Sequence, residues 1–494
     1  MNRILLLLVA SFFTFSCGSK RNEKPSGLPN IILIMADDMG YGDAGCYNSQ
    51  SLIPTPNIDR LAGEGIMFTD AHSPAAVCSP SRYGLLTGRY SWRTRLKSGV
   101  LIGYDETPLI EPGRNTIGSV LKYSGYETAC IGKWHVGLNW PTKDGYIMKD
   151  DRNIWRGENS VFHENERNID FAKPVTGGPN DLGFDYSLIN FGCSTSDPPY
   201  VFIENNYPVT IPTKMSPEEY IGLPGFAPGV MDPDWSEEEV DFRYTAKGID
   251  FIKNHLSSTA ESPFFLYLAL SSPHIPFLVP DCANGKSQEG PRGDLVYVVD
   301  YCVGEILKAV KEYGIEDNTL IIFTSDNGPQ QGANGHKSAG DLKGYKASIW
   351  EGGHRVPFIV WWPQKIKAGF KSDEVISFTD LFATFMELTG QTGIKGGEDS
   401  HSVLNAFLGE ENEKNNEIPR IFHSAKGVFA IRKGGWKLID GDVDLARDSS
   451  IVKGHLYNLE NDPSESNDLW DVNPEIVKEL LFDLGNIKQS NINK

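Results

Sequence analysis

Several polar groups in this sequence sit directly behind apolar runs. "IILIMADD" ends in Asp37-Asp38, and "IIFTSDNG" ends in Asp326-Asn327. "TACIGKWH" carries Lys133 and His135, and "FFLYLALSSPHIP" runs on to His274. Asp37, Asp38, Asp326 and Asn327 offer only oxygen. Adjacent acids repel unless a cation lies between them, and all-oxygen ligation suits Ca2+ or Mg2+ rather than zinc. Asp and Asn also cap loops, but two such pairs behind two strands favour a metal. Lys133 and His135 are two apart, so on an extended chain they share a face and suit an anion, the lysine as fixed charge and the histidine as donor or proton carrier. His274, between Pro273 and Pro276, reads by itself as part of a rigid turn. "VCSPSRYGLLTGRY" at 77–90 adds a cysteine. Pro80 fits the first turn of a helix, which puts Cys78 at an N-terminus that favours negative charge, with Arg82 one turn on. A free cysteine is ordinarily a small buried hydrophobe. A thiolate nucleophile is the chemical alternative, yet soft sulfur is a poor neighbour for a hard divalent ion.

The elements that must position these residues form an α/β pattern. "PNIILIMADD", "YETACIGKWH", "PFFLYLAL" and "NTLIIFTSDNG" are continuous apolar runs, as in buried parallel strands. "TPNIDRLAGEG" reads as a helix capped by Thr55, with Pro56 in its first turn and Gly63 and Gly65 ending it. Residues 114–124 and 294–313 are helix-like. This alternation predicts a large, mainly parallel sheet sandwiched by helices, whose ligand lies outside the carboxyl ends of the strands. Residues 141–240, rich in Pro, Gly, Asn and acids, read as long loops over that face. Beyond about residue 410, "GVFAIRKGGWKLID" and "HLYNLENDP" predict a smaller C-terminal antiparallel subdomain, closed by a helix near 474–485. The expected organisation is a leader at 1–16, a tether at 17–28, a catalytic domain at 29–410 and the C-terminal subdomain at 411–494. "GYGDAG" (Gly40 to Gly45) fits a dinucleotide fingerprint. Two acids face the place a pyrophosphate would take, and no helix follows until Pro56, so we reject it.

The 494 residues carry a net charge of −19, which argues against nucleic acid and polybasic membrane contact. The seven cysteines include no CxxC pair, so a structural zinc site is not expected; an exported chain could pair some of them. Arg3 followed by an apolar run from Ile4 to Phe15 reads as a secretory signal. Ser16-Cys17-Gly18 resembles a bacterial lipoprotein box, with Thr14 in place of the usual leucine. That resemblance implies export to the periplasm or cell surface, with membrane contact only through a lipid on Cys17.

Taken in order, "ADDMGYGD", "CSPSRYGLLTGRY", "GKWHVG", "SPHIPF", "TSDNG", "KASIWEGGHRVP" and "KLI…LYNLENDPSE" resemble the type I sulfatases. The likeness covers roughly residues 29–470 and is densest in the arylsulfatase and N-acetylgalactosamine-6-sulfatase-like branch of the alkaline phosphatase superfamily. It implies an alkaline-phosphatase-like fold and hydrolysis of sulfate esters on a polysaccharide or oligosaccharide. It further implies that Cys78 is oxidised to formylglycine (3-oxoalanine) by a maturation enzyme. The aldehyde hydrates to a gem-diol; one hydroxyl takes the sulfate and the other ejects it. By the same resemblance, Asp37, Asp38, Asp326, Asn327 and modified Cys78 bind one Ca2+. Arg82 steadies the diol, Lys133 holds diol and sulfate, and His135 is the base for elimination. His274 and Lys346 bind sulfate and assist the leaving oxygen, with Lys343 the rival for Lys346. The family often has Gly-Gly-Lys-Gly here, where this chain has Gly344-Tyr345-Lys346-Ala347. A phosphate or phosphonate ester hydrolase of the same superfold is the alternative activity, and a glycan-binding protein with a dead site is a second. His336, Asp197 and Tyr200 are loop candidates for sugar contacts, with a structural role the alternative for each.

Overall fold

The computed structural model describes residues 27–102, 104, 108–149, 161–258, 262–410, 415–441 and 453–490. The leader, Cys17 and all of the tether except Gly27 and Leu28 lie outside the described residues. Among the described residues no helix is long and apolar enough to cross a membrane.

A ten-stranded sheet forms the centre. Its middle is five parallel strands in the spatial order Thr319–Ser325, Asn30–Ala36, Phe264–Ala269, Glu127–Lys133 and Tyr186–Asn190. The apolar runs are apolar because both faces are covered. Ile31, Leu33 and Met35 pack on one side with residues of helices Cys78–Thr87, Ile117–Tyr123 and Asp380–Leu388. Ile32 and Ile34 pack on the other with residues of helices Pro56–Glu64, Val240–Ser258 and Pro291–Glu312. Antiparallel strands flank this parallel middle, Phe358–Trp361 on one side and Ile203–Glu204 on the other.

Two local expectations need correction. Residues 141–240 are not loop throughout: Tyr186–Asn190 is a strand of the main sheet, paired in parallel with Glu127–Lys133. Its sequence, YSLIN, alternates too much polarity to read as a buried run, because Ser187 and Asn190 bond to side chains of adjoining loops. Thr55 does not cap its helix either. Its hydroxyl accepts from Gly45 N and donates to Asp59. The free N–H groups of Asn57 and Ile58 donate instead to Asp300, carried by the helix Pro291–Glu312 (2.9 and 2.8 Å). The rejected glycine motif has a packing role. A Cβ on Gly40 would lie 2.1 Å from the Ser338 carbonyl, and one on Gly42 would lie 2.1 Å from that of Lys337. No disulfide joins the six described cysteines.

The C-terminal residues build a four-stranded antiparallel sheet, Arg420–His423, Phe429–Lys433, Trp436–Asp440 and His455–Asn458, backed by helix Pro474–Gln489 through Val477, Leu480 and Leu484. This sheet is tied to the larger one by backbone. Ala76 N donates to His423 O, Ala347 N to Ala76 O, and Ala425 N to Ala347 O, at 2.8–3.0 Å. Charge ties them as well. Fully buried Lys437 places Nζ 2.9 Å from Glu351 and 2.8 Å from Glu465 and donates to the Ile349 carbonyl. Burial works against ionisation of Glu351, but Lys437 and the neighbouring cationic side chains hold its carboxyl well below the usual range. Removing the cation strands buried negative charge. Lys437→Met is therefore expected to cost about 3–5 kcal/mol in equilibrium denaturant unfolding; a loss under about 1 kcal/mol, the range of an exposed pair, would contradict this account of the joint.

Candidate active site

All five central strands deliver polar groups at their carboxyl ends. Asp37 and Asp38 follow Asn30–Ala36, and Asp326 and Asn327 follow Thr319–Ser325. Lys133 ends its strand, with His135 two residues on; His274 follows Phe264–Ala269, and Cys193 follows Tyr186–Asn190. Asp241 accepts from Ser271 N and Ser272 N (2.7 and 2.9 Å), which sets the turn leading to His274. Cys78 opens the helix Cys78–Thr87, whose ten residues are all buried and whose Pro80 lies in the first turn.

The acids are out of water, and each meets a cation. Lys133 Nζ lies 2.5 Å from Asp37 Oδ2. Lys346 Nζ lies 2.7 Å from Asp38 and 3.6 Å from Cys78 Sγ. Arg82 directs Nε and Nη2 onto Asp326 Oδ2 (3.0 and 2.8 Å) and Nη1 onto the Lys133 carbonyl. Burial opposes charge on Asp37, but Lys133 and His274 bring its pKa down to about 2. Asp38 is likewise lowered, against burial, by Lys346 and His274. His274 is shifted the other way: burial and Lys346 discourage its proton, and Asp37 and Asp38 outweigh them, so its pKa rises.

These groups fit an oxygen-ligated cation. Asp38 N donates to Asp326 Oδ1, Asn327 Nδ2 donates to Asp38 Oδ1, and Asp37 Oδ1 lies 3.8 Å from Cys78 Sγ. Asn327 Oδ1 is buried beside this cluster with no hydrogen-bond partner. A buried acceptor left unpaired is costly, and among three carboxylates it is the atom a Ca2+ ion would take up. Three backbone positions here lie in the left-handed region without being glycine: Asp38 (φ 69°), His135 (φ 52°) and Ala347 (φ 75°). Each costs about 1–3 kcal/mol, and such strain concentrates at functional sites. Ala347 holds the conformation that a glycine would adopt without strain, which accounts physically for the final glycine of Gly-Gly-Lys-Gly and leaves this chain's alanine strained.

The structure settles some placements and corrects others. Lys346 faces Cys78, whereas Lys343 Nζ stacks 3.5 Å over the Trp350 ring and bonds the Glu465 carbonyl. His135 does not share a strand face with Lys133, because the strand ends at Lys133 and the chain turns at His135. Of the sugar-contact candidates, His336 is buried on Asp43 (2.8 Å), and Tyr200 is buried with its hydroxyl on the Ala227 carbonyl. Asp197 accepts from Cys193 N. All three brace loops. Cys193 is the site residue that sequence reasoning missed. Its Sγ lies 3.7 Å from His135 Nδ1 and 3.6 Å from His274 Nε2. It obeys the same strand-end rule, but its strand went unread. A hydrogen bond with Cys193, and burial, push the Cys78 thiol up to about 11. As encoded, Cys78 is therefore a neutral thiol at pH 7 and a poor thiolate nucleophile.

Comparison with known proteins agrees with this geometry. Residues 29–391 match the family model described as Sulfatase, and residues 345–489 match that described as N-sulphoglucosamine sulphohydrolase, C-terminal. The chain is 33% identical to the N-acetylgalactosamine-6-O-sulfatase of Bacteroides thetaiotaomicron, with 99% of each chain covered. It is 31% identical to arylsulfatase A of Homo sapiens, over 92% of this chain and 86% of that one. The solved structure described as "Metabolism of multiple glycosaminoglycans by bacteroides thetaiotaomicron is orchestrated by a versatile core genetic locus (BT33336S-sulf)" superposes with a TM-score of 0.78 at 32% identity, covering 94% of this chain and all of that one. Every site residue named above falls inside residues 29–391, and on this match the chain belongs to the sulfatase family of sulfuric ester hydrolases.

Proposed function

We propose that this enzyme removes sulfate from a sulfated glycan, with 6-O-sulfated N-acetylgalactosamine the first substrate to test. The observation that carries the reading is the set Cys78, Lys133, His135, His274 and Lys346 gathered around three buried carboxylates. The substrate class rests on the relative named N-acetylgalactosamine-6-O-sulfatase, which this chain matches end to end.

Oxidation of Cys78 by a maturation enzyme would supply formylglycine, whose hydrate provides a hard oxygen nucleophile. A bound Ca2+ would supply Lewis acidity to that nucleophile and to the ester oxygens, held by Asp37, Asp38, Asp326, Asn327 and modified Cys78. The remaining work falls to the chain's own side chains. Lys133 and Lys346 present ammonium groups at residue 78 and suit the anionic sulfate. Arg82 bridges Asp326 and the Lys133 carbonyl, so it locks helix, strand and acid in one register. His135 donates from Nε2 to the Leu101 carbonyl, which makes Nδ1, beside Cys193 Sγ, the nitrogen that accepts a proton. His274, with its raised pKa, is the proton donor for the leaving alcohol. The leader and Cys17 point to a chain exported to the periplasm or cell surface and held there by a lipid.

Sulfate release from defined 6-O-sulfated saccharides, run beside the matching phosphate esters, tests the activity. Faster phosphate release would favour the esterase alternative. Prolonged chelation should abolish turnover and Ca2+ should restore it; full activity in metal-free protein would remove the ion from the account. His135→Ala should lower kcat by about a hundredfold or more with a smaller effect on KM, and an unchanged kcat would exclude His135. In active enzyme, the tryptic peptide holding residue 78 should be about 18 Da lighter than encoded, as expected for a side chain converted to an activated nucleophile. Active protein with an unmodified Cys78 would overturn the mechanism.

A further inference from the structure

Residue 78 belongs to two neighbouring clusters of candidate ligand atoms. One lies among the oxygens of Asp37, Asp38, Asp326 and Asn327. The other offers sulfur and nitrogen. Cys78 Sγ, Cys193 Sγ and a ring nitrogen of His135 lie within 4.8 Å of one another, as do the ligand atoms of Cys78, His274, Asp37 and Asp38. Both histidines are held by their far nitrogens. His135 Nε2 lies 3.0 Å from the Leu101 carbonyl, and His274 Nδ1 lies 2.6 Å from the Ile275 carbonyl. Each carbonyl requires an N–H donor, so the nitrogen facing Cys193 is the one available to a metal. A carbonyl partner on the far nitrogen is the usual support of a metal-bound imidazole. The two S···N distances, 3.7 and 3.6 Å, match the edge of a tetrahedron with metal–sulfur bonds of about 2.3 Å and metal–nitrogen bonds of about 2.0–2.1 Å.

We propose that Cys78, Cys193, His135 and His274 form a Cys2His2 site for a soft divalent cation such as Zn2+ in the chain as encoded, before Cys78 is converted. Two thiolates and two neutral imidazoles balance the ion, so the buried complex needs no counter-charge. Binding releases the two thiol protons and any proton on His274 Nε2. Lys133 and Lys346 are engaged by Asp37 and Asp38, which offsets their charge near the ion. Chain in which residue 78 is no longer cysteine lacks one of the two sulfur ligands and with it the soft site. Chain that folds unconverted therefore keeps the soft site, with Cys78 engaged by the ion. The site is a property of unconverted chain and is read without turnover, so it stands or falls independently of the sulfate reading.

The test uses reduced, full-length chain produced without the maturation enzyme, with residue 78 verified as cysteine by peptide mass. Co2+ should bind at one equivalent with the intense visible bands of tetrahedral cobalt and a thiolate-to-cobalt charge-transfer band, and Zn2+ should displace it. Cys78→Ser and Cys193→Ser should each weaken Zn2+ binding by at least about a hundredfold, the upper range for losing even an outer-shell partner. Replacing the exposed Cys282 by serine should leave it unchanged. Should a serine variant fail to fold, Zn2+ should still slow thiol alkylation at Cys78 and Cys193, but not at Cys282, in the unaltered chain. An octahedral cobalt spectrum without a thiolate band, Zn2+ affinity retained in folded Cys193→Ser, or absence of protection at residues 78 and 193 would each overturn the proposal.

Discussion

Three carboxylates removed from water at one end of a sheet are unstable alone, and much of this structure answers that problem. Asp37, Asp38 and Asp326 are fully buried, and each meets its own cation: Lys133, Lys346 or Arg82. An ionised group buried without a partner costs several kcal/mol even after relaxation. The three cations arrive from three places, namely a strand end, a long loop and the second turn of a helix. Strand register, the helix start at Cys78 and the loop through Lys346 are therefore fixed together. A shift in any one would strand a charge.

Much of this was legible because it is written in local sequence. Strands covered on both faces have to be apolar throughout, so the runs before Asp37 and Asp326 announced themselves, as did the acids behind them. The carboxyl-end rule then assembled Lys133, His135 and His274 without any knowledge of fold. What stayed hidden depends on partners distant in sequence. Asp300 caps a helix more than two hundred residues earlier in the chain, and no propensity argument links the two. The strand Tyr186–Asn190 lies toward one side of the sheet, where polar neighbours let Ser187 and Asn190 stay polar; with it went Cys193. The turn at His135 arises from a left-handed residue that periodicity cannot anticipate. His336 and Tyr200 have residue types suited to sugar, yet burial decides their role.

The braced and the exposed parts of the molecule differ. The small sheet braces the Cys78 and Lys346 segments through Ala76 and Ala347, and Lys437 joins the two units by charge. The chain after Tyr186–Asn190 adds two short strands, Ile203–Glu204 and Tyr207–Pro208, to the large sheet. Its residues 207–221 include Tyr207, Val209, Ile211, Met215 and Ile221, all exposed. Changes there leave the pairs among the acids and cations untouched.

The brace also sets a timetable. Ala76 waits for the carbonyl of His423, which is synthesised roughly 350 residues later; at about 5–20 residues per second that is about 20–70 s. Throughout that interval the Cys78 segment lacks this backbone partner, and the "CSPSR" stretch is not yet tied to the small sheet through Ala76. Once the small sheet docks, the same stretch is buried.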